Sequence, residues 1–404
     1  MANRIIVSQI GSRHRYLIPQ ILYDAGILHK LYTDSNSYSL LGKLSKLFIN
    51  IGFKVNLLQR LSNRNPKIPK NKVFSSDIIS LKKIFNFTYQ NNGVNRLRLY
   101  YDGLSNAFIQ KGTNHADCIY SMFIENISFL EYAKSQGLKI VIDIYESPIA
   151  FRELYKEMTS NPDLSHFSRI AKNYRDKSII REELMERILA VADYYTVPSH
   201  FVEKSLAEYA NYDKNKTIIL PYGASITAKS YSYNPVRHRL IWVGNDPIRK
   251  GLYYCAKAAT LLKKKYKDLD FRIIGVVEPE IIKSEIFKDL HFIGVLNKQD
   301  LQREYCSAEA YVFPTLYEGF AGTIIEAASC GCPIITTECA GTNREAFPAL
   351  YINPRSTQEI VDKVEMIFED ERLKYNLSSQ VYEYSKTLTP EIYKIRLIKT
   401  LLNI

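Results

Sequence analysis

Two carboxylates eight positions apart, Glu318 and Glu326, lie in the stretch of this chain best suited to chemistry, Pro314-Thr-Leu-Tyr-Glu-Gly-Phe-Ala-Gly-Thr-Ile-Ile-Glu-Ala-Ala-Ser-Cys-Gly-Cys-Pro333. The stretch leads from one apolar run, Tyr311 to Phe313, towards another, Ile334 to Thr336. That pattern predicts a strand, a tight turn and a helix beginning near Ala321. Gly319 and Gly322 let the turn bend sharply and approach a ligand closely. The first turn of such a helix presents unpaired N–H groups at the positive end of its dipole, a natural seat for phosphate. Gly319, Phe320, Ala321, Gly322 and Thr323 are therefore candidate phosphate contacts. Glu318 and Glu326 are candidate acceptors for sugar or ribose hydroxyls, and the combination suits a nucleotide-sugar. Taken alone, the two acids would equally suit a charged first turn and a solvated helix face.

The wider string decides between these. Glu318-Gly-Phe320, Glu326-Ala327, Cys330-Gly331 and Pro333 stand at the matching places of E-G-F-G-L-P-x-L-E-A-M-A-C-G-x-P. The stretch thus resembles the E-x7-E segment of the retaining GT-B glycosyltransferases of the large fourth glycosyltransferase family. Ala321 replaces a glycine and Gly322 a leucine, which moves the flexible point by one residue and removes no backbone donor. The resemblance implies a nucleoside diphosphate sugar as donor, Glu326 on its ribose and Glu318 on hydroxyls of the transferred sugar, with no cofactor and no metal.

A second block, Arg239-Leu-Ile-Trp-Val-Gly-Asn-Asp-Pro-Ile-Arg-Lys-Gly-Leu252, reads as a strand running into a glycine turn and a helix. It is similar to the family's G-R-x(n)-K-G, whose arginine and lysine clamp the donor pyrophosphate. Lys250-Gly251 matches, Asn245 stands at the arginine place, and Arg249 is the candidate second cation. In the family, loops after the next strands approach the nucleotide base through backbone groups, which makes Gly275, Val276 and Val295 candidates. Thr337 to Glu345 is similar to the second glycine loop, with Gly341 and Glu345 displaced by one residue.

The first half of the chain resembles the family only in outline. Arg4 to Pro19 predicts a strand, a glycine turn at Gly11 and a helix, without the G-x-G-x-x-G dinucleotide fingerprint. The family's loop here faces the cleft, so Gly11 is a donor-side candidate and Arg13 and His14 are acceptor-side candidates. Many relatives carry a His-Asp pair after a later strand. No histidine occurs between His115 and His166, which leaves Asp143 and Glu146 to fill that space. Ala192 to Ala224 is similar to the block that closes the family's N-terminal domain, with Ser199 a good N-cap.

Charge is distributed unevenly. Residues 1–100 hold 16 Lys and Arg against Asp24, Asp34 and Asp77, a net of +13 in a chain whose total is +12. Such a patch suits an anionic surface. Leu40, Leu44, Leu47, Ile51, Val55 and Leu58 recur at helical steps, edged by Lys43 and Lys54, as a core-packing or membrane-facing stripe. Residues 38–72 are thus a candidate contact for an anionic membrane. Nucleic acid is not expected, because the tyrosines cluster apart from the lysines.

Nothing resembles a secretory signal or a membrane span, and six cysteines without C-x2-C pairs fit reduced thiols in the cytoplasm. Asp268-Leu-Asp270 precedes a strand and is not taken as a metal site, and no histidines pair at zinc spacing. Together these readings predict an α/β protein of the GT-B type, two doubly wound Rossmann-like domains facing across a cleft. The expected division is residues 1–224, a linker at 225–235, residues 236–385, and a final helix at 386–404 crossing back to the first domain. The implied activity is retaining, metal-independent transfer of a sugar to a glycan or lipid-linked acceptor. A polyprenyl-diphosphate-linked oligosaccharide of bacterial surface polysaccharide assembly, at the inner membrane face, would suit the basic first domain. The alternatives are a nucleotide-sugar epimerase of the same fold and a non-catalytic domain binding membrane or nucleic acid.

Overall fold

Short runs of β-branched and aromatic residues such as Ile5-Ile-Val and Ile140-Val-Ile are buried on both faces, the signature of parallel strands covered by helices. The computed structural model describes residues 4–52, 55–77, 79–80, 93–122, 124–223 and 230–404. Lys54, Ala224 and residues 225–229 of the expected linker lie outside the described residues.

The first sheet comprises β1 (Ile5–Ser8), β2 (Leu28–Thr33), β3 (Val73–Ser75), β4 (Cys118–Ser121), β5 (Lys139–Asp143), β6 (Tyr194–Val197) and β7 (Thr217–Ile219). Its order is β3-β2-β1-β4-β5-β6-β7, with every pairing parallel. The second comprises β8 (Arg239–Val243), β9 (Asp270–Ile274), β10 (His291–Gly294), β11 (Ala310–Phe313), β12 (Ile334–Thr336) and β13 (Leu350–Tyr351), ordered β10-β9-β8-β11-β12-β13 and also parallel. Chain order reverses between β1 and β4 and again between β8 and β11. Crevices at such switch points are where open α/β sheets bind ligands.

The cores do not divide where the sequence suggests. Phe151, Leu154, Met158, Leu164, Phe167 and Tyr174 precede β6, yet they pack into the second domain's core with Trp242, Leu252 and Phe287. Phe151, Leu154, Met158 and Tyr174 lie on the apolar faces of the helices Ala150–Ser160 and Ser168–Val191, which follow β5, and Leu164 and Phe167 come from the turn between them. The last helix, Pro390–Asn403, sets Tyr393, Leu397 and Leu401 against Ile5, Val7 and Tyr120 of the first domain.

The stripe between residues 40 and 58 is two helices, Leu40–Asn50 and Asn56–Ser62. Gly42 accounts for the packing of the first, since a Cβ there would lie 1.9 Å from the Asn36 carbonyl oxygen. Leu40, Leu44, Leu47, Ile51 and Val55 are between 40% and 65% exposed, so the apolar face points outward. No described helix is long and apolar enough to cross a membrane.

Candidate active site

β11 delivers Pro314 to Phe320 into the cleft, and the helix Gly322–Ser329 follows with Ala321 as its N-cap. The loop after β8 lies against it. Leu316 N donates to Arg249 O at 2.9 Å and Thr315 Oγ1 to the same oxygen at 3.1 Å. The buried Trp242 indole donates to Lys250 O at 3.0 Å. Lys250 therefore extends over the Phe313 ring, 4.7 Å from its centre, with Nζ 2.6 Å from Glu318 Oε1. Arg249 Nη1 reaches the same oxygen at 2.9 Å and the Tyr317 carbonyl at 2.8 Å. Arg249 Nε pairs with Asp246 at 3.0 Å, and Asp246 in turn accepts from the Tyr174 hydroxyl.

Burial opposes the charge on Glu318 most strongly, but Lys250 and then Arg249 outweigh it and hold the carboxyl down at about 2. The two cations and the acid thus converge at the helix N-terminus, as the sequence suggested for Glu318, Lys250 and Arg249. Asn245 holds backbone instead, since its Oδ1 accepts from Val276 N at 3.0 Å and ties the loop after β8 to that after β9. Gly275 sits in the same junction, while Val295 is 71% exposed at the end of β10.

The amides differ from the expected set. Ala321 N donates to Ala340 O at 2.9 Å and Glu318 N to Cys339 O at 3.0 Å, so the second glycine loop already holds them. Among the described residues no such backbone partner takes the amides of Gly319, Phe320, Gly322 or Thr323. The Thr323 hydroxyl accepts from Tyr311 at 2.8 Å. Glu326 is half-buried on the same helix; burial pushes the Tyr311 and Tyr305 hydroxyls well up, and the nearby Glu326 charge adds to it.

The first domain forms the facing wall. A Cβ on Gly319 would lie 1.7 Å from the Tyr145 carbonyl oxygen, so only glycine permits this approach of the two domains. Ser199 donates to Gly319 O at 2.6 Å while accepting from Val202 N, joining its capping role to the same contact. Arg13 stacks on Tyr145, 3.2 Å above the ring centre. Glu146 accepts from the buried Arg181 at 2.7 Å. Asp143 faces the core instead: burial pushes its carboxyl up to about 6, and it accepts from Tyr222 at 2.7 Å and Thr196 at 3.3 Å. His14 packs against Tyr222 at 4.5 Å, and crowding by neighbouring atoms followed by the Arg13 charge pushes its imidazole down to about 4. Gly11 gives its amide to Asp34 at 2.8 Å and so does not offer it to phosphate.

Sequence reading missed the residues that hold this set in place: Asp246, Tyr174, Arg181 and Asp34. Asp246 lies within the quoted block, but its partner Tyr174 is 72 positions away and no local pattern connects them. Asp268 and Asp270, set aside as metal ligands, lie against His238 and between Arg239 and Arg272.

Comparison with known proteins bears on the family and the fold. Residues 237–370 match the family model described as Glycosyl transferases group 1. The structure superposes on sucrose-phosphate synthase from Thermosynechococcus elongatus with a TM-score of 0.67, 15% identity and coverage of 99% of this chain and 98% of that one. Anabaena HepE in complex with UDP-glucose gives a TM-score of 0.62 at 12% identity over 99% and 100% of the two chains. The fold is GT-B. Among curated proteins, the chain is 24% identical over 157 residues to the N,N'-diacetylbacillosaminyl-diphospho-undecaprenol alpha-1,3-N-acetylgalactosaminyltransferase of Campylobacter jejuni, covering 37% of this chain and 40% of that protein. It is 24% identical over 189 residues to the D-inositol 3-phosphate glycosyltransferase of an Arthrobacter species, covering 41% and 45%. The chain therefore spans less than half the length of these two relatives.

Proposed function

We propose that this GT-B protein is a glycosyltransferase that moves a sugar from a nucleoside diphosphate sugar to a glycan or lipid-linked acceptor, with retention at the anomeric carbon. The observation that carries the reading is the convergence of Lys250 Nζ and Arg249 Nη1 on Glu318, 2.6 and 2.9 Å away, beside the N-terminus of the Gly322–Ser329 helix. As the bond from the anomeric carbon to the diphosphate breaks, negative charge grows on the leaving oxygens. Lys250, Arg249 and the amides of Gly319, Gly322 and Thr323 stabilise it. The acceptor hydroxyl attacks from the same face, its proton passing to the departing phosphate, so no side chain has to act as base. This pathway takes no step through a metal ion. Glu318 orients hydroxyls of the transferred sugar, and Glu326 those of the ribose.

Three features support an acceptor at an anionic lipid surface. Residues 1–100 carry a net charge of +13, Lys43 and Lys46 are exposed, and the Leu40 to Val55 stripe points outward between them. The relative from Campylobacter is named for a diphospho-undecaprenol acceptor. Sedimentation with vesicles of anionic lipid at low salt tests this, and Leu47→Glu with Lys43→Glu is expected to abolish co-sedimentation.

The enzymatic reading is tested by thermal shift with UDP-, GDP- and ADP-sugars, followed by nucleoside diphosphate release on adding acceptor and NMR of the anomeric proton of the product. Stabilisation by no donor at all would leave a binding protein rather than a transferase.

A further inference from the structure

Beside the proposed donor site, the loop after β1 and the end of the Asn56–Ser62 helix enclose a hollow of about 470 Å³ lined by Ile10, Ser12, Arg13, Arg60, Asn63 and Arg64. Three guanidiniums face one space. Among the described residues the carboxylate paired with any of them is Asp34, 2.9 Å from Arg64. Asp34 is further committed to the Gly11 amide at 2.8 Å and the Tyr100 hydroxyl at 3.2 Å. Glu146, which lies near Arg13, accepts from Arg181. Arg181 is shared between Glu146 and Glu125, so Glu146 also faces Arg13, and the positive excess of the hollow rests on Arg60, for which no carboxylate partner stands among the described residues. Clustered like charges repel, and an anion that enters relieves the repulsion and gains forked guanidinium hydrogen bonds.

The surroundings say what kind of anion. On one side, Arg13 stacks on Tyr145, whose carbonyl abuts Gly319 next to Glu318. The hollow is thus one residue's thickness from the proposed reaction centre. On the other side, the Asn56–Ser62 helix that carries Arg60 packs on Leu40–Asn50, with its exposed Leu40, Leu44 and Leu47. Reaction centre, basic hollow and apolar stripe follow one another in that order.

We propose that this hollow seats the phosphate or diphosphate linkage of a lipid-borne acceptor. Arg13, Arg60 and Asn63 contact the anion, and Arg64, fixed by Asp34, shapes the rim. The sugar lies towards Glu318 and the hydrocarbon tail towards the apolar stripe. The inference rests on the transferase reading and adds to it the chemical class of the acceptor.

Calorimetric titration of the full chain at low salt with geranyl diphosphate, inorganic pyrophosphate and geraniol tests it. Lys250→Ala weakens the donor clamp and leaves the hollow untouched, while Arg60→Glu, at an exposed position, reverses one charge of the hollow. Geranyl diphosphate is expected to bind wild type and Lys250→Ala alike, and Arg60→Glu and Asn63→Asp are each expected to raise its Kd, the former on the order of tenfold. Pyrophosphate should bind more weakly than geranyl diphosphate, and geraniol not measurably. Unchanged affinity in Arg60→Glu, or affinity lost in Lys250→Ala, overturns the site. Equal affinity for pyrophosphate in Lys250→Ala, where the donor clamp is weakened, overturns the assignment to a lipid-borne anion. If nucleotides fail to stabilise the wild type while Arg60-dependent binding persists, the transferase reading falls and the anion site stands.

Discussion

Glu318 occupies, in the free protein, the two cations that the proposed donor diphosphate would meet. Its carboxyl is held at about 2 against an ordinary 4.5. At about 1.4 kcal/mol per pKa unit, that difference amounts to about 3 kcal/mol. Because the folded value is depressed, this stability is fully present above about pH 4.5 and is lost as the pH falls towards about 2. Glu318→Gln removes the charge and leaves Lys250 with no carboxylate at its tip, while Arg249 keeps Asp246. The variant should be less stable by about 3 kcal/mol at pH 7, and its stability should no longer fall between about pH 4.5 and 2 through this group. Inorganic pyrophosphate and the matching nucleoside diphosphate should bind the variant more tightly, by about tenfold or more, while sugar transfer falls. Trp242 is the chain's one tryptophan, is hydrogen-bonded to Lys250 O, and reports urea unfolding of this domain by fluorescence. Calorimetry supplies the affinities. Unchanged stability together with unchanged or weaker diphosphate binding would refute the idea that Glu318 and the diphosphate compete for the same cations.

Gly319→Ala places a methyl group on the Tyr145 carbonyl and should open the contact between the domains at a cost of about 1–3 kcal/mol, whereas Gly322→Ala meets nothing within 4 Å and should be nearly neutral. Small-angle scattering and thermal melting of the two variants check this contrast. Arg181→Met strands Glu146 and Glu125 in a buried setting and should cost about 3 kcal/mol in urea unfolding, with Arg181→Lys recovering part of the loss. The His14 imidazole is exposed on one side, yet loss of water around it and then the Arg13 charge push it down to about 4, so it should stay neutral from pH 8 to pH 5; an NMR titration midpoint near 6.5 would show that solvent screens both effects.

The Glu318 to Glu326 turn and the Lys250 loop were legible because their chemistry sits in contiguous residues: glycines, acids and a lysine at the ends of apolar strands. The alternation of strand and helix was legible for a related reason, since parallel strands covered on both faces read as short unbroken apolar runs. Amphipathic helices are less informative. The stripe at 40–58 shows an apolar face, as does the structure's helical segment at 151–174, but periodicity does not say what such a face meets. One turned out to face outward and the other packs on the opposite domain. Partners far apart in sequence were invisible for the same reason, as with Arg181 and Glu146 or Tyr174 and Asp246. Glycine is a poor helix former, yet the missing side chain of Gly42 is what lets the Asn36 carbonyl approach.

Under the proposed reading, Tyr145 and Gly319 make the donor and acceptor halves interdependent. The Tyr145 carbonyl meets the donor turn and its ring carries Arg13 of the basic hollow, so one residue forms the wall between the two sites. Ser199, the N-cap of the helix that follows β6, fixes the same point by its bond to Gly319 O. The second glycine loop holds the donor turn from behind, through the Ala321 and Glu318 amides. Any motion that separates the domains must therefore withdraw Gly319 from Tyr145 and Ser199 together, parting the donor turn from the basic hollow. Closure restores both contacts at once, so the proposed reaction centre would face both substrates only in the closed protein. A transferase gains from that coupling, because a donor held apart from its acceptor is a donor exposed to water.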